Sequence, residues 1–362
     1  MNFFTKLDRY IIKSFLAHFV LSLGFIMLII IVFDISEKID DFLRTQPSLW
    51  TIISDYYVSF VPYIGMMLAP LFIFISVILF TSRTAMRSEY IAVLSSGVSF
   101  YRILVPYLIT SIFLAGLSWY GYHYLLPKAN KVRLDFENKY VRRTFRNTDR
   151  DIHIKDSENT FVYFQSYNAQ DSVGHKFAME QFNDNGELQR KITSPRVTWN
   201  SKTGTWRIAN YSYRKINGLE EKLGKGTILD TLLNITPEDF GRKADLLENL
   251  TTPELKELIV VEQMKGSDMI SSYRVKLYER DALVFSIFIL VIIGFSFSSR
   301  KVRGGIGLHL ITGLIMGFSF IFLSKITTVY AQNMGLAPLA AVWIPNIFFS
   351  MVATYLLLKA PK

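Results

Sequence analysis

Six long apolar stretches, separated by polar or charged segments, dominate the pattern of this chain. They run over Phe15–Phe33, Tyr56–Phe80, Tyr101–Leu126, Ala282–Phe297, Leu308–Tyr330 and Val342–Leu358. Crossing about 30 Å of hydrocarbon takes roughly 20 mostly apolar residues in a helix, at about 1.5 Å each. The six stretches therefore predict six transmembrane helices. Pro62 and Pro70 lie inside the second. The fourth is the shortest and is predicted to extend backward into a helical segment. The first is too long for a cleaved leader and lacks a small-residue cleavage site after it.

Between the third and fourth stretches the period changes. Residues 151 to 216 alternate in short runs: Phe161-Val162-Tyr163-Phe164, Lys176 to Phe182, Leu188 to Trp199 and Trp206 to Ile216. Asn183-Asp184-Asn185-Gly186 and Asn200-Ser201-Lys202-Thr203-Gly204 are turn signals between them, because Asn and Gly tolerate positive φ. Strands at this spacing predict a sandwich or a roll. Thr251-Thr252-Pro253-Glu254 then reads as a helix start, with a Thr cap and an early Glu, followed by Leu255, Leu258, Ile259 and Glu262 at helical spacing. The pattern divides the chain into transmembrane helices 1–3 over 1–126, a β-insertion over 127–250, a helical connector over 251–281 and helices 4–6 over 282–362.

Charge orients these elements. Lys6, Arg9 and Lys13 precede the first stretch; Arg83, Arg87 and Arg102 follow the second. Arg300, Lys301 and Arg303 follow the fourth, and Lys359 and Lys362 follow the sixth. The other loops differ: residues 34 to 55 carry five acids against two bases, and residues 331 to 341 carry no charge. Short basic loops stay in the cytoplasm. Both termini are predicted inside, with the insertion in the periplasm. The net charge of +10 mostly reflects this asymmetry.

Candidate chemistry is sparse. There is no Cys, so disulfides, thiolate metal sites and a Cys nucleophile are excluded. The five His do not pair at metal-ligand spacing, and no nucleophile-elbow or HExxH pattern occurs. No metal, no catalytic residue and no bound cofactor is expected, and nothing calls for a nucleic-acid partner. Gly224-Lys225-Gly226-Thr227 fails the phosphate-loop pattern, which needs four residues between its glycines; it reads as a surface turn. The Asn-x-Thr sites at Asn234 and Asn249 read as accidental.

The inner loop after the second stretch is more informative. Met86 to Gly97 predicts a short helix at about residues 84–97, stopped by Gly97. Met86, Tyr90, Val93 and Leu94 fall on one face, with Arg87 and Glu89 off it. Such a helix either lies on the membrane surface or docks in a partner's groove.

The order of these elements resembles the LptF/LptG permease family, the transmembrane half of a lipopolysaccharide export ABC transporter. Leu7-Asp8-Arg9-Tyr10-Ile11 is similar to the family's N-terminal signature, in a form leaning toward LptG. Arg87-Ser88-Glu89 through Ser96-Gly97 is similar to its coupling helix. Ile235-Thr236-Pro237-Glu238 is similar to a motif near the end of its β-domain, and Arg300-Lys301-Val302-Arg303-Gly304-Gly305 to its basic glycine loop. The resemblance implies an inner-membrane permease with a periplasmic β-jellyroll-like insertion. It also implies a pairing with a second, LptF-like permease, a cytoplasmic LptB-like ATPase dimer that binds the ATP, and an LptC-like periplasmic jellyroll protein. The permease itself would hydrolyse nothing. Arg87, Glu89, Tyr90, Val93, Leu94 and Gly97 are the implied ATPase-coupling residues, with Glu89 in contact and Arg87 and Tyr90 supporting it.

One departure concerns the substrate. The outer end of the first helix reads Asp34-Ile35-Ser36-Glu37-Lys38-Ile39-Asp40-Asp41, acidic where the family often has bases. Lys38 is the only base there, which leaves three readings: a head group with fewer phosphates, a bridging divalent ion, or a contact elsewhere. Lys325 is a second candidate, since a charge inside a span faces a cavity or a partner, or snorkels to the interface. Phe25, Phe318 and Phe322 are expected to line an acyl-chain cavity near it. Two other readings stand beside this one: an ATP-independent lipid transporter, and a membrane-anchored scaffold whose β-domain binds a partner.

Overall fold

The computed structural model describes residues 5–141, 150–168, 171–201, 203–218, 220–237, 247–264, 269–302 and 304–360. Lys202, Glu238, Arg303 and Lys362 of the readings above lie outside the described residues. The helices are α1 (Lys6–Thr45), α2 (Leu49–Met86), α3 (Glu89–Ser95), α4 (Phe100–Tyr140), α5 (Thr252–Met264), α6 (Ile270–Ser298), α7 (Gly305–Asn333) and α8 (Pro338–Leu358). Six of them, all but α3 and α5, are long and apolar enough to cross a membrane. The strands are β1 (Arg150–Ser157), β2 (Thr160–Asn168), β3 (Val173–Phe182), β4 (Leu188–Asn200), β5 (Thr205–Asn217) and β6 (Glu220–Thr231). By contacts the chain divides into two units. One comprises Met1–Leu134, Asn249–Lys256 and Ser271–Lys362; the other comprises Asp135–Glu248 and Glu257–Ile270.

The helices outrun their apolar runs. The acidic stretch after Phe33 stays helical to Thr45, and α4 continues to Tyr140, so residues 127–140 are helix rather than the start of the β-insertion. The fourth span extends back to Ile270, as its polar lead-in suggested.

In the membrane unit α6 is the central helix: 61% of its most apolar stretch is buried, against 11% for α1. Ile287, Val291 and Phe295 of α6 pack into one apolar cluster with Ile73 and Val77 of α2 and Phe100, Ile103 and Tyr107 of α4. Small residues let neighbours close in. A Cβ on Gly313 of α7 would lie 2.3 Å from Ile78, and one on Gly317 2.8 Å from Leu71, the close approach small residues allow between membrane helices. Near the start of α1, Arg102 of α4 donates two hydrogen bonds to buried Asp8, at 2.7 and 2.6 Å. Asp8 also accepts from Thr5 in a capping box. Asp8 of the Asp8-Arg9-Tyr10 run thus fastens the start of α1 to α4.

Prolines inside spans leave carbonyls unpaired. Pro70 has no N–H for the Met66 carbonyl four residues earlier. The hydroxyl of Tyr122, 5% exposed on α4, donates to that carbonyl at 2.8 Å.

The β-unit is one sheet in strand order β1-β2-β3-β4-β5-β6, every neighbour antiparallel. One face carries the core: Val162, Phe164, Phe177, Met179, Ile192, Val197, Trp206 and Ile208. The inward positions skip a residue along one line across the sheet, passing from Phe164 to Tyr167, from Ser194 to Val197, and from Ile208 to Tyr211. Lys176 and Asn210 have positive φ on this line. A skip shared by adjacent strands creases the sheet while keeping one face apolar. Gly174 sits at the crease because a Cβ there would meet Phe164 and Val197 at 2.5 and 2.9 Å. The segment after β6 closes the roll: Trp206 Nε1 donates to the Ile235 carbonyl at 2.7 Å, and the Asn234 N–H donates to Asp156 of β1 at 2.6 Å. β1 and β6 end the strand order, so a segment that leaves one and bonds the other requires a curled sheet. The alternation thus leads to a roll, and Asn234 has a structural task.

Both turns form as read, with Gly186 and Gly204 at φ 80° and 64°. Gly224-Lys225-Gly226-Thr227, however, is strand β6 and not a surface turn. Tyr213 and Tyr211 of β5 lie over Gly224 and Gly226, where a Cβ would fall 2.5 and 2.4 Å from the rings. The glycines signal room for a ring rather than a reversal of the chain.

Tyr122→Phe strands the Met66 carbonyl in an apolar environment and should cost about 1–3 kcal/mol. The readout is thermal unfolding of detergent-solubilised protein, with Tyr124→Phe, whose ring is 36% exposed, unchanged. Equal midpoints for Tyr122→Phe and wild type would show that the carbonyl has another donor.

Candidate functional site

The short helix α3 is shorter than its sequence pattern. Met86 ends α2, Arg87 and Ser88 turn the chain with Ser88 at φ 60°, and α3 spans Glu89 to Ser95. Gly97, at φ 88°, stops it. A non-glycine residue in the left-handed region costs of order 1 kcal/mol and persists only where its surroundings impose it. Ser88 is so held: its N–H donates to the Ala85 carbonyl at 3.1 Å, and Lys301 Nζ of the loop after α6 donates to its hydroxyl at 3.3 Å.

The structure separates the predicted coupling residues into two groups. Tyr90 is buried, its ring edge-on to Phe100 and Phe295 at 6.3 and 6.0 Å. Val93 and Leu94 pack against the same cluster. Tyr90 holds α3 from inside, and Val93 and Leu94, partly buried, support it. Glu89 and Arg87 face outward: the Glu89 side chain is 42% exposed, 3.7 Å from Arg87, and accepts from the Tyr10 hydroxyl at 3.5 Å. A cavity of about 40 Å³ beneath it is lined by Leu7, Tyr10, Thr84, Glu89 and Tyr90. Sequence reasoning missed Ile91, which is half-exposed on the outward side. The one available signal was an apolar residue lying off the Tyr90 face. The outward surface of α3 thus offers a carboxylate beside an exposed aliphatic side chain.

The substrate candidates lie on α1 and α7. Lys38 is 13% exposed by side chain and donates to Asp34 at 2.5 Å and to the Tyr56 hydroxyl. Tyr56 and Tyr57 also donate to Asp34, at 2.9 and 3.1 Å, and Lys38 sits over the Tyr56 ring at 4.5 Å. Its charge is already matched inside the fold. Phe25 of α1 and Phe318 and Phe322 of α7 are well exposed, on two helices that each pack against α2. Lys325, 66% exposed, lies 3.7 Å from Glu279 of α6, which also pairs with Lys276 at 3.3 Å. Among the described residues no three His, Asp or Glu are placed to hold a metal ion.

Six apolar helices, a rolled sheet inserted between the third and fourth, and a tethered short helix define a polytopic membrane permease with an inserted β-domain. Residues 9–359 match the family described as lipopolysaccharide export system permease LptF/LptG, and the chain belongs to that family. It is similar to the lipopolysaccharide export system permease protein LptG of Escherichia coli strain K12, at 20% identity over 364 residues that cover 99% of each chain. LptG of Escherichia coli O6:H1, strain CFT073, matches equally. The chain is therefore a transport subunit of lipopolysaccharide export and a multi-pass inner-membrane protein.

Tyr90→Ala removes a buried aromatic and should cost about 3–5 kcal/mol, lowering the detergent unfolding midpoint. Ile91→Ala should stay within about 0.5 kcal/mol of wild type, as an exposed substitution does. Equal losses would mean that Ile91 also packs inward.

Proposed function

We propose that this chain is the membrane half of an ATP-driven machine that lifts lipopolysaccharide from the inner membrane and passes it to a periplasmic bridge. The observation that carries the reading is α3: a short inner helix anchored from within by Tyr90, tied by Lys301 and Tyr10, and offering Glu89 and Ile91 outward. An anchor for a membrane surface gains nothing from an outward carboxylate near anionic lipid, whereas a docking helix uses one.

A cytoplasmic ATPase dimer receives α3, with Glu89 in contact, Arg87 beside it and Ile91 completing the apolar part. Tyr90, Val93, Leu94 and Gly97 fix the helix's position. ATP is bound by that partner and none by this chain. A second permease of the family pairs with this one, and Phe25, Phe318 and Phe322 face the acyl chains between them. Lys325, exposed and only loosely paired with Glu279, is better placed for a lipid phosphate than Lys38, which must first leave Asp34 and Tyr56. Both termini are cytoplasmic and the β-roll is periplasmic, where a jellyroll protein takes the lipid onward.

Charge-assisted contacts at a partly desolvated interface are worth roughly 1.5–3 kcal/mol. Glu89→Lys should therefore weaken ATPase binding about 10- to 100-fold and abolish lipid export at wild-type protein levels, read by co-purification and by lipid release. Normal export from a Glu89→Lys strain would sink the coupling role and favour an ATP-independent transporter or a scaffold. A reporter inserted at Gly204 should be periplasmic and one fused after Lys362 cytoplasmic; the reverse signals would overturn the orientation.

A further inference from the structure

The start of α5 is fastened to the membrane helices by a buried polar chain that the coupling reading does not use. Arg280 of α6 is 8% exposed. Its guanidinium donates to the Thr252 hydroxyl at 2.8 Å and to the Leu250 carbonyl at 2.7 Å. Thr252 Oγ1 lies 2.8 Å from Nδ1 of His123 on α4. His123 is 5% exposed, stacks on Trp119 at 4.7 Å, and turns Nε2 toward Asp281 at 3.2 Å, off the line of a hydrogen bond. Two turns further along α4, Asn130 Nδ2 donates to Asn249 Oδ1 at 2.8 Å.

Arginine only donates, so Thr252 Oγ1 accepts from Arg280 and still has a proton and a second lone pair with which to meet His123 Nδ1. α4 is π-helical over Gly121–Leu125, and that widened turn carries His123. α5 meets the network already capped, since the Thr251 N–H and hydroxyl both donate to Glu254 at 2.7 Å. Those bonds hold the Glu254 carboxyl below its ordinary range, so the cap is charged at neutral pH.

Burying a guanidinium is costly, and apolar residues of similar volume commonly pack as stably. Arg280 nevertheless directs two donors to acceptors 28 and 30 residues away in sequence. Apolar contact would let α5 slide or turn on its neighbours; hydrogen bonds to Thr252 and the Leu250 carbonyl allow one position only. We infer that Arg280, Thr252 and His123 are positioning residues. They bind the first turn of α5 to α4 and α6, so that the start of the connector helix moves with those two helices during transport. The transport part rests on the ATP-driven reading above; the fastening itself does not.

The test uses the full chain reconstituted with its ATPase and partner permease. Arg280→Met keeps the stem and removes both bonds. Amide exchange over Leu250–Lys256 should accelerate about 10-fold or more, with β3 and β4 unchanged. ATP hydrolysis should stay within about twofold while lipid release falls roughly 10-fold. Because the chain has no native Cys, His123→Cys and Thr252→Cys can be added and joined by a short bis-methanethiosulfonate linker. Release should return once the linker is in place, an outcome that a misfolded protein does not give. Unchanged exchange in Arg280→Met, wild-type release in it, or release that stays lost after linking would each overturn the inference. Wild-type release, measured in parallel, tests the ATP-driven reading separately, and the exchange result holds whichever way that falls.

Discussion

The middle of a bilayer offers no water, so each backbone N–H and C=O there must find its partner inside the protein. In this chain that constraint explains both the helices and their exceptions. Where Pro70 removes a donor, Tyr122 of a neighbouring helix supplies one. The buried amide of Asn346 on α8 donates to the Ala282 carbonyl on α6, and Ser and Thr hydroxyls such as Thr110 and Ser298 donate to carbonyls in their own helices. With backbone demands met, dispersion and close approach at Gly313 and Gly317 are left to choose the neighbours.

Charge is placed at the two ends of the bundle, and its use differs between them. At one end Arg102 donates to buried Asp8, while Glu89 stays outward with only loose contacts. At the other end Lys38 is bonded to Asp34 and Tyr56, whereas Lys325 stands open beside Glu279. A lysine with its charge matched has less to gain from a phosphate than one held at 3.7 Å on an exposed face. Exposure and pairing, rather than residue type, rank the two as candidates for a lipid head group.

The β-unit solves a different problem. A single six-stranded sheet has one apolar face to hide and, among the described residues, no second sheet to hide it against. A crease shared by adjacent strands, a glycine at the crease and a closing segment after β6 together curl the sheet onto its own face. Tyr211 and Tyr213 over Gly226 and Gly224 belong to the same arrangement, with small residues opposite large ones across neighbouring strands.

The amino-acid sequence by itself determined the six spans, the inserted sheet, its hairpin turns and the cap of α5. These depend on local hydropathy, period and turn chemistry, which neighbours in the chain set. It also marked Glu89 and the basic loops, through spacing and resemblance. The tertiary structure alone decided that Tyr90 points inward and Ile91 outward, because periodicity groups residues on a face without saying what that face meets. It decided that Lys38 is taken by Asp34 and Tyr56, and that Gly224-Lys225-Gly226-Thr227 is strand, because both depend on side chains from other elements. The fastening of Thr252 by Arg280 and His123 was invisible for the same reason. Its members lie up to 157 residues apart (His123 to Arg280), and a hydrogen bond acts only over the last 3 Å or so, a distance that folding sets and sequence spacing does not.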